Sequence, residues 1–385
     1  MAVIDSGIDL GHEDLAANLW TNPGEIPGNG IDDDGNGYVD DVNGWDFSRD
    51  DSDPSDTETG CGGHGTHTSG TIGAVGDNGL GITGINWDIQ IMPLKAARTV
   101  LFSCALADAD ILEAIQYAAN NGALLSNNSY GGPSPSQAIE DAIRASRSLF
   151  VAAAGNDGTN NDTIPQYPAS YQLDNIVSVA ATDHDDILAS FSNFGTNSVD
   201  LGAPGVSILS TVPGGYSAAF SGTSMASPHV VGAAALLLSA DPTLTPNELK
   251  WRLMQGTDNI GIQTVTGGRL NAYEALMLPP PDVTIDVTPL GPTTVSSGQT
   301  IDYRVTVTNT SIANQTVAAS VVAVKPDGYE LTLQSKTLNM TAGASLSASF
   351  SVKVPPNVRP GEYHIVGRAE NSDLDEDLVV YDIIL

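Results

Sequence analysis

The chain has 385 residues, enough for two domains, and carries 46 acidic against 14 basic residues for a formal net charge of −32. A surface of that sign repels phosphate backbones and anionic lipid, which argues against nucleic acid and membrane surfaces as partners. No apolar run reaches the roughly 20 residues of a spanning helix, and the opening Met1-Ala2-Val3-Ile4 reads as a strand, not as a secretory leader.

That first strand ends in Asp5-Ser6-Gly7, an acid followed by a turn. Next comes an acidic loop, Asp32-Asp33-Asp34-Gly35-Asn36-Gly37-Tyr38-Val39-Asp40. Asp32, Asp34 and Asn36 offer side-chain oxygens, Tyr38 a carbonyl and Asp40 a further acid, in the order of the first three-quarters of an EF-hand-like calcium loop. It departs from that pattern where Asn43 replaces the bidentate glutamate. Cys61 and Cys104 are too few for a disulfide scaffold and lack metal-ligand spacing, which leaves one bridge or two buried thiols open. In His64-Gly65-Thr66-His67-Thr68 a histidine follows glycines and opens a helical run. The His-x-x-His spacing lacks a third ligand and an adjacent glutamate, so structural roles are expected for His67 and for His229.

Further on, Ile111, Leu112, Ile115 and Ala119 recur at helical spacing, with Asp108 and Asp110 in the first turn and Gly122 as a stop. Ser136 to Ser146 reads as a second helix, and Leu149–Ala153 and Ile176–Ala180 as buried strands. Ser221-Gly222-Thr223-Ser224-Met225-Ala226-Ser227-Pro228-His229 then leads into an apolar helical run. Alternation of this kind predicts an α/β domain over residues 1–278, a parallel sheet with helices on both faces. Pro279-Pro280-Pro281 marks a stiff linker. Over 282–385 the period changes to two, with Ile301, Tyr303, Val305 and Val307 in one run and Leu346, Ala348, Phe350, Val352 and Val354 in another. Turn signals such as Pro326-Asp327-Gly328 separate about seven strands, predicting a small all-β sandwich of immunoglobulin or fibronectin type.

Cleaving a peptide bond by covalent catalysis needs a hydroxyl nucleophile, an imidazole to take its proton and a carboxylate to orient that imidazole. Asp5, His64 and Ser224 supply these in the order Asp, His, Ser on an α/β pattern. Those three segments resemble the signature blocks of the subtilase family of serine peptidases, over residues 1 to about 278. The resemblance implies that Ser224 is the nucleophile, His64 the general base and then acid, and Asp5 the residue that fixes the His64 tautomer. Asn156, in Ala152-Ala153-Ala154-Gly155-Asn156, matches the family's oxyanion-hole asparagine. His64 and Asn156 separate the chain from the related carboxyl-peptidase branch, which uses Glu and Asp at those places.

The resemblance extends to the substrate cleft. Ser129-Tyr130-Gly131 matches the edge strand that pairs with an extended peptide, Ala153-Ala154-Gly155 a wall of the primary pocket, and Gln166 its floor. It implies a calcium site from Asp14 and the loop Val75-Gly76-Asp77-Asn78-Gly79-Leu80-Gly81-Ile82, in which Val75, Leu80 and Ile82 give carbonyls and Asn78 its side-chain oxygen. Asp46, Asp51 and Asp53 resemble a further site of thermitase-like members, with Arg49 standing where an acid belongs. It implies a Cys61–Cys104 bridge at the cleft rim, as in some thermostable members, in an oxidising compartment. The expectation is therefore a secreted, extracellular, monomeric serine endopeptidase with structural Ca2+. Its substrates would be proteins and peptides bound extended, and its own propeptide would be a partner. The resemblance further implies a segment ahead of the catalytic aspartate, preceded by a propeptide and signal, and the expectation is that this chain opens after them. Two other expectations carry different functions: a non-catalytic binding or surface protein on a subtilase scaffold, and a C-terminal sandwich that docks to polymer or cell surface.

Overall fold

The computed structural model describes residues 1–278, 282–325, 329–371 and 374–384; the proline linker and the Pro326-Asp327-Gly328 turn lie outside them. Contacts divide the chain into two compact units, Met1–Leu278 and Pro279–Leu385.

The first unit mixes strands and helices along the chain. They are β1 (Ala2–Asp5), β2 (Trp45–Asp46), α1 (His64–Gly73), β3 (Met92–Lys95), β4 (Ala97–Val100), β5 (Ser103–Leu106), α2 (Asp108–Asn120), β6 (Leu125–Asn128), α3 (Gln137–Ser146), β7 (Leu149–Ala153), β8 (Ile176–Thr182) and β9 (Leu201–Pro204). After them come β10 (Ile208–Val212), β11 (Gly215–Phe220), α4 (Thr223–Ala240), α5 (Pro246–Gln255), β12 (Asp258–Asn259), β13 (Gly268–Arg269) and α6 (Ala272–Met277). Among the described residues the main sheet has nine strands in the order β12-β13-β9-β8-β7-β6-β1-β3-β2. Every pair in it is parallel except β12–β13.

The central strands are buried end to end because helices cover both faces. Alternate side chains sort to the two sides. Val3, Val151 and Val177 share a core with Val230, Val231 and Leu237 of α4 and Leu249 of α5. Ile4, Phe150 and Ala152 pack with Ile111 and Ile115 of α2 and Ile139 and Ile143 of α3. Helix α4 is long and apolar enough to cross a membrane by length and composition, yet 67% of that stretch is buried inside the protein. From β1 the chain builds to β3 on one side and then to β6 on the other. That reversal makes β1 the switch point, outside whose carboxyl end a parallel sheet opens its crevice.

The second unit holds β14 (Val283–Pro289), β15 (Thr294–Ser296), β16 (Thr300–Asn309), β17 (Gln315–Val324), β18 (Glu330–Met340), β19 (Ser345–Lys353), β20 (Gly361–Glu370) and β21 (Leu374–Ile384). They form sheets β14-β16-β19 and β15-β21-β20-β17-β18, antiparallel except for the short β15–β21 pair. Ile301, Tyr303, Val305 and Val307 face a core shared with Ile365, Val379 and Tyr381. Leu346 on β19, an edge strand, is 46% exposed.

Candidate active site

Strand β1 delivers Asp5 to the switch point, where the residue is 6% exposed. Helix α1 starts beside it with His64. The close approach depends on Gly65, since a Cβ there would lie 2.2 Å from the Gly7 carbonyl oxygen. The His64 Nδ1 stands 2.7 Å from Asp5 Oδ1 and 3.0 Å from Oδ2. The Ser6 amide donates to Asp5 Oδ1 at 2.7 Å, which holds the carboxylate in place. Burial opposes a charged imidazole here, but the Asp5 charge and hydrogen bond, with Asp56 behind them, raise the His64 pKa above the usual 6.5.

Helix α4 begins at Thr223, so Ser224 sits in its first turn, with an amide that helix geometry leaves without an intrahelical acceptor. Helices α1 and α4 pack against each other. The Ser224 hydroxyl donates to the Ser129 carbonyl at 3.2 Å. The Ser129 hydroxyl donates in turn to the Ser224 carbonyl at 3.0 Å. Pro228, one turn on, lacks the N–H that would normally bond that carbonyl, so Ser129 takes the position. Asn156 is tied to the same turn: its Oδ1 accepts from the Thr223 amide at 2.8 Å and hydroxyl at 3.1 Å. With its oxygen so committed, the Asn156 Nδ2 is the end left for a ligand.

Beside these groups lies a groove of about 320 Å³ whose walls include Cys104 to Leu106 of β5 on one side and Tyr130 and Gly131 on the other. Gly132 closes a two-bond bridge with Tyr167 at 2.9 and 2.7 Å. Ala153 and Ala154 are buried, while Gly155 adopts φ +112°, where a Cβ would meet Asn193 at 2.4 Å and Gln166 Cγ at 3.4 Å. Gln166 thus lies against the Ala153-Ala154-Gly155 segment and reaches Asp157 at 3.4 Å. Cys61 and Cys104 are bonded, joining the approach to α1 to β5. His67 is fully buried, bonded to the Ile208 carbonyl at 3.0 Å and stacked on Phe220, and burial drives its pKa down to about 4. It is a neutral packing residue.

Comparison with known proteins gives this geometry its relatives. A model of the subtilase family matches residues 1–273. The chain belongs to the subtilase family. It is 38% identical over 281 residues to a thermophilic serine proteinase of Bacillus sp. strain AK1, a match covering 72% of this chain and 61% of that protein. It is 39% identical over 204 residues to subtilisin DY of Bacillus licheniformis, covering 52% of this chain and 72% of that one. Among solved structures, a cold-adapted subtilisin-like serine proteinase aligns at 31% identity and TM-score 0.52, over 70% of this chain and 85% of that one.

The acidic clusters of this subtilase sort differently from their sequence pattern. Glu25, Asp32 and Asp34 bring ligand oxygens within 4.8 Å of one another. Glu25, missed in the sequence because it precedes the loop, is buried and accepts from the amides of Asp33, Asp34 and Asp40. Asp40 stands outside that trio, and its carboxylate accepts from the amides of Asn29 and Gly30. Asn36 bridges Asp34 to the fully buried Asp41, and the Tyr38 ring packs edge-on against Trp45 and Tyr117. Asp14 is fully buried and gathers Asn78 Nδ2 at 2.6 Å, the Ile82 amide at 3.1 Å and the Tyr216 hydroxyl at 3.2 Å. Its carbonyl accepts from Val75 at 2.8 Å, and Asn78 accepts from Leu80 at 2.9 Å. Asp46, Asp51 and Asp53 each meet groups of the protein itself. Asp46 Oδ2 meets the buried Lys95 ammonium at 2.8 Å, while Asp51 accepts from the Asp53 amide and Asp53 from the Ser55 amide. Lys95 brings a cation of its own, and a second one beside it would be repelled.

Proposed function

We propose that this subtilase is a secreted, calcium-stabilised serine endopeptidase. The observation that carries the reading is the contact of buried Asp5 with the partly exposed His64 at the carboxyl end of β1, together with Ser224 in the first turn of α4 and Asn156 anchored on Thr223. The neutral His64 donates from Nδ1 to Asp5 and presents Nε2 as the base. Ser224 Oγ passes its proton to Nε2 as it bonds to the substrate carbonyl carbon. The oxyanion takes the Ser224 amide and Asn156 Nδ2. The imidazolium then protonates the amine as the C–N bond breaks, and a water activated by His64 hydrolyses the acyl-enzyme. For this the Ser224 hydroxyl must leave the Ser129 carbonyl, a tightening expected when substrate fills the cleft. The groove between β5 and Tyr130-Gly131 suits an extended peptide added as a strand. The Cys61–Cys104 bond supports an oxidising, extracellular setting.

A serine-directed fluorophosphonate tests the reading. Intact mass is expected to show one adduct, mapped to the peptide that contains Ser224. No adduct on folded protein would instead favour a non-catalytic binding scaffold, the reading compatible with Ser224 held by Ser129.

The oxygen-only donor set of Glu25, Asp32 and Asp34 fits a hard cation such as calcium, whereas Asp14 meets N–H and O–H donors from Asn78, Ile82 and Tyr216. Such an ion would neutralise adjacent carboxylates and fix the loops. Stripping calcium with a chelator is expected to lower the melting temperature by about 5–10 °C, with an Asp32→Asn, Asp34→Asn double variant losing part of that response. A melting curve indifferent to chelator would remove calcium from the proposal.

A further inference from the structure

Beside the Asp5–His64 pair lies a second carboxylate that the reaction above does not use. Asp56, between β2 and α1, is 8% exposed. Its Oδ1 accepts from the Ser6 hydroxyl at 3.1 Å, and its Oδ2 from the Thr66 amide at 3.1 Å and hydroxyl at 2.7 Å. Ser6 follows Asp5 in the chain, donates its amide to the Asp5 carboxylate and accepts the Gly65 amide on its hydroxyl at 2.8 Å. Thr66 lies two residues beyond His64. One carboxylate therefore ties the exit of β1 to the first turn of α1, on both sides of the Asp5–His64 contact.

A purely structural staple at this place would need no charge. The donors to Asp56 are two hydroxyls and an amide, all neutral, and an asparagine could accept from Thr66 while donating to Ser6. A buried carboxylate with neutral partners is costly to keep ionised. The titratable groups facing it are Asp5 on β1 and His64 on α1. Burial and the Asp5 charge push the Asp56 carboxyl up to about 6, against the pull of its hydrogen bonds.

We propose that Asp56 is a positioning residue for His64: it holds the imidazole against Asp5 through Ser6 and Thr66, and its negative charge joins that of Asp5 in stabilising the imidazolium formed during acylation. The kinetic consequence rests on the serine-protease reading; the electrostatic one does not. Above pH 6 Asp56 is ionised and favours the protonated imidazole. Removing its charge therefore lets His64 lose its proton at lower pH, and the acid limb of activity moves the same way. The imidazolium of the transition state loses the same support, so plateau kcat falls.

The test is a histidine NMR titration of the full chain, wild type against Asp56→Asn, with kcat/KM of a peptide followed over the same pH range. The His64 midpoint is expected to fall by roughly half to one pH unit in the variant, and the acid limb with it. Plateau kcat is expected to fall roughly three- to tenfold, with KM nearly unchanged. The melting temperature at pH 8 should hold, since a neutral side chain replaces a buried charge. An unchanged midpoint in folded Asp56→Asn, or a lower melting temperature with that midpoint unmoved, would overturn the proposal and leave a staple only. A midpoint shift in a protein that hydrolyses nothing would keep the electrostatic assignment and sink the protease reading. Should the variant fail to fold, carboxyl NMR of the wild type decides. Asp56 ionising near pH 6 and perturbing the His64 ring supports the coupling, and ionisation near 4 without a ring response overturns it.

Discussion

Replacing Ser224 by alanine is expected to lower kcat by on the order of 10^6-fold with little change in KM, a magnitude that comes from subtilisin and is carried over by family membership. The physical reason is that the acyl-enzyme route vanishes altogether. Without Oγ there is no nucleophile for His64 to activate, and the Asp5–His64 pair has no proton to accept. Because the three residues act as a unit, His64→Ala should cost about as much, and the double variant little more than either single one. Residual turnover above the uncatalysed rate would come from the Asn156 side chain and the helix-end amide, which still receive the oxyanion. Progress curves on a chromogenic peptide, run alongside circular dichroism to establish that each variant folds, check this. A Ser224→Ala protein retaining a tenth of wild-type kcat would reject the assignment of the nucleophile.

Asn156→Ala carries the second large effect: kcat lower by about 10²–10³-fold, equivalent to roughly 2.7–4 kcal/mol of barrier, again a subtilisin-derived magnitude. Two features of its setting bear on the size. Its oxygen is fixed by both the amide and the hydroxyl of Thr223, so the amide nitrogen needs no reorganisation to meet a developing charge. Gly155, held at φ +112° against Asn193, fixes the backbone that presents it. A donor that strengthens its bond only as the carbonyl becomes an oxyanion acts on kcat and leaves KM nearly unchanged. Asn156→Asp should be at least as damaging, since a carboxylate would repel the oxyanion. Equal losses in binding and in turnover would mean that the side chain holds substrate and not the transition state.

Much of the fold was legible because its signals are local. Leu149–Ala153 and Ile176–Thr182 are continuous apolar runs, the mark of strands covered on both faces, and the Asp108–Asn120 helix has its acids at the start and its stop at Gly122. The segments proposed to be catalytic are equally local, since each is an unbroken motif at the end of a strand or the start of a helix. Alternation tells which side chains share a face and not how far that face is covered: Leu346 is 46% exposed.

The sequence by itself determined the residue types, the alternation of strands and helices, and hence the family. What only the tertiary structure decided was which charges meet. Glu25 joins Asp32 and Asp34, Lys95 neutralises Asp46, Tyr216 closes over Asp14, and Asp56 reaches Ser6 across 50 positions of chain. Local patterns follow from the backbone's own periods, which repeat every two or 3.6 residues and are written in each window of sequence. Pairings between distant side chains depend instead on which strands the crossovers bring side by side. No period records that choice, and each buried charge takes the partner that the finished packing puts within reach.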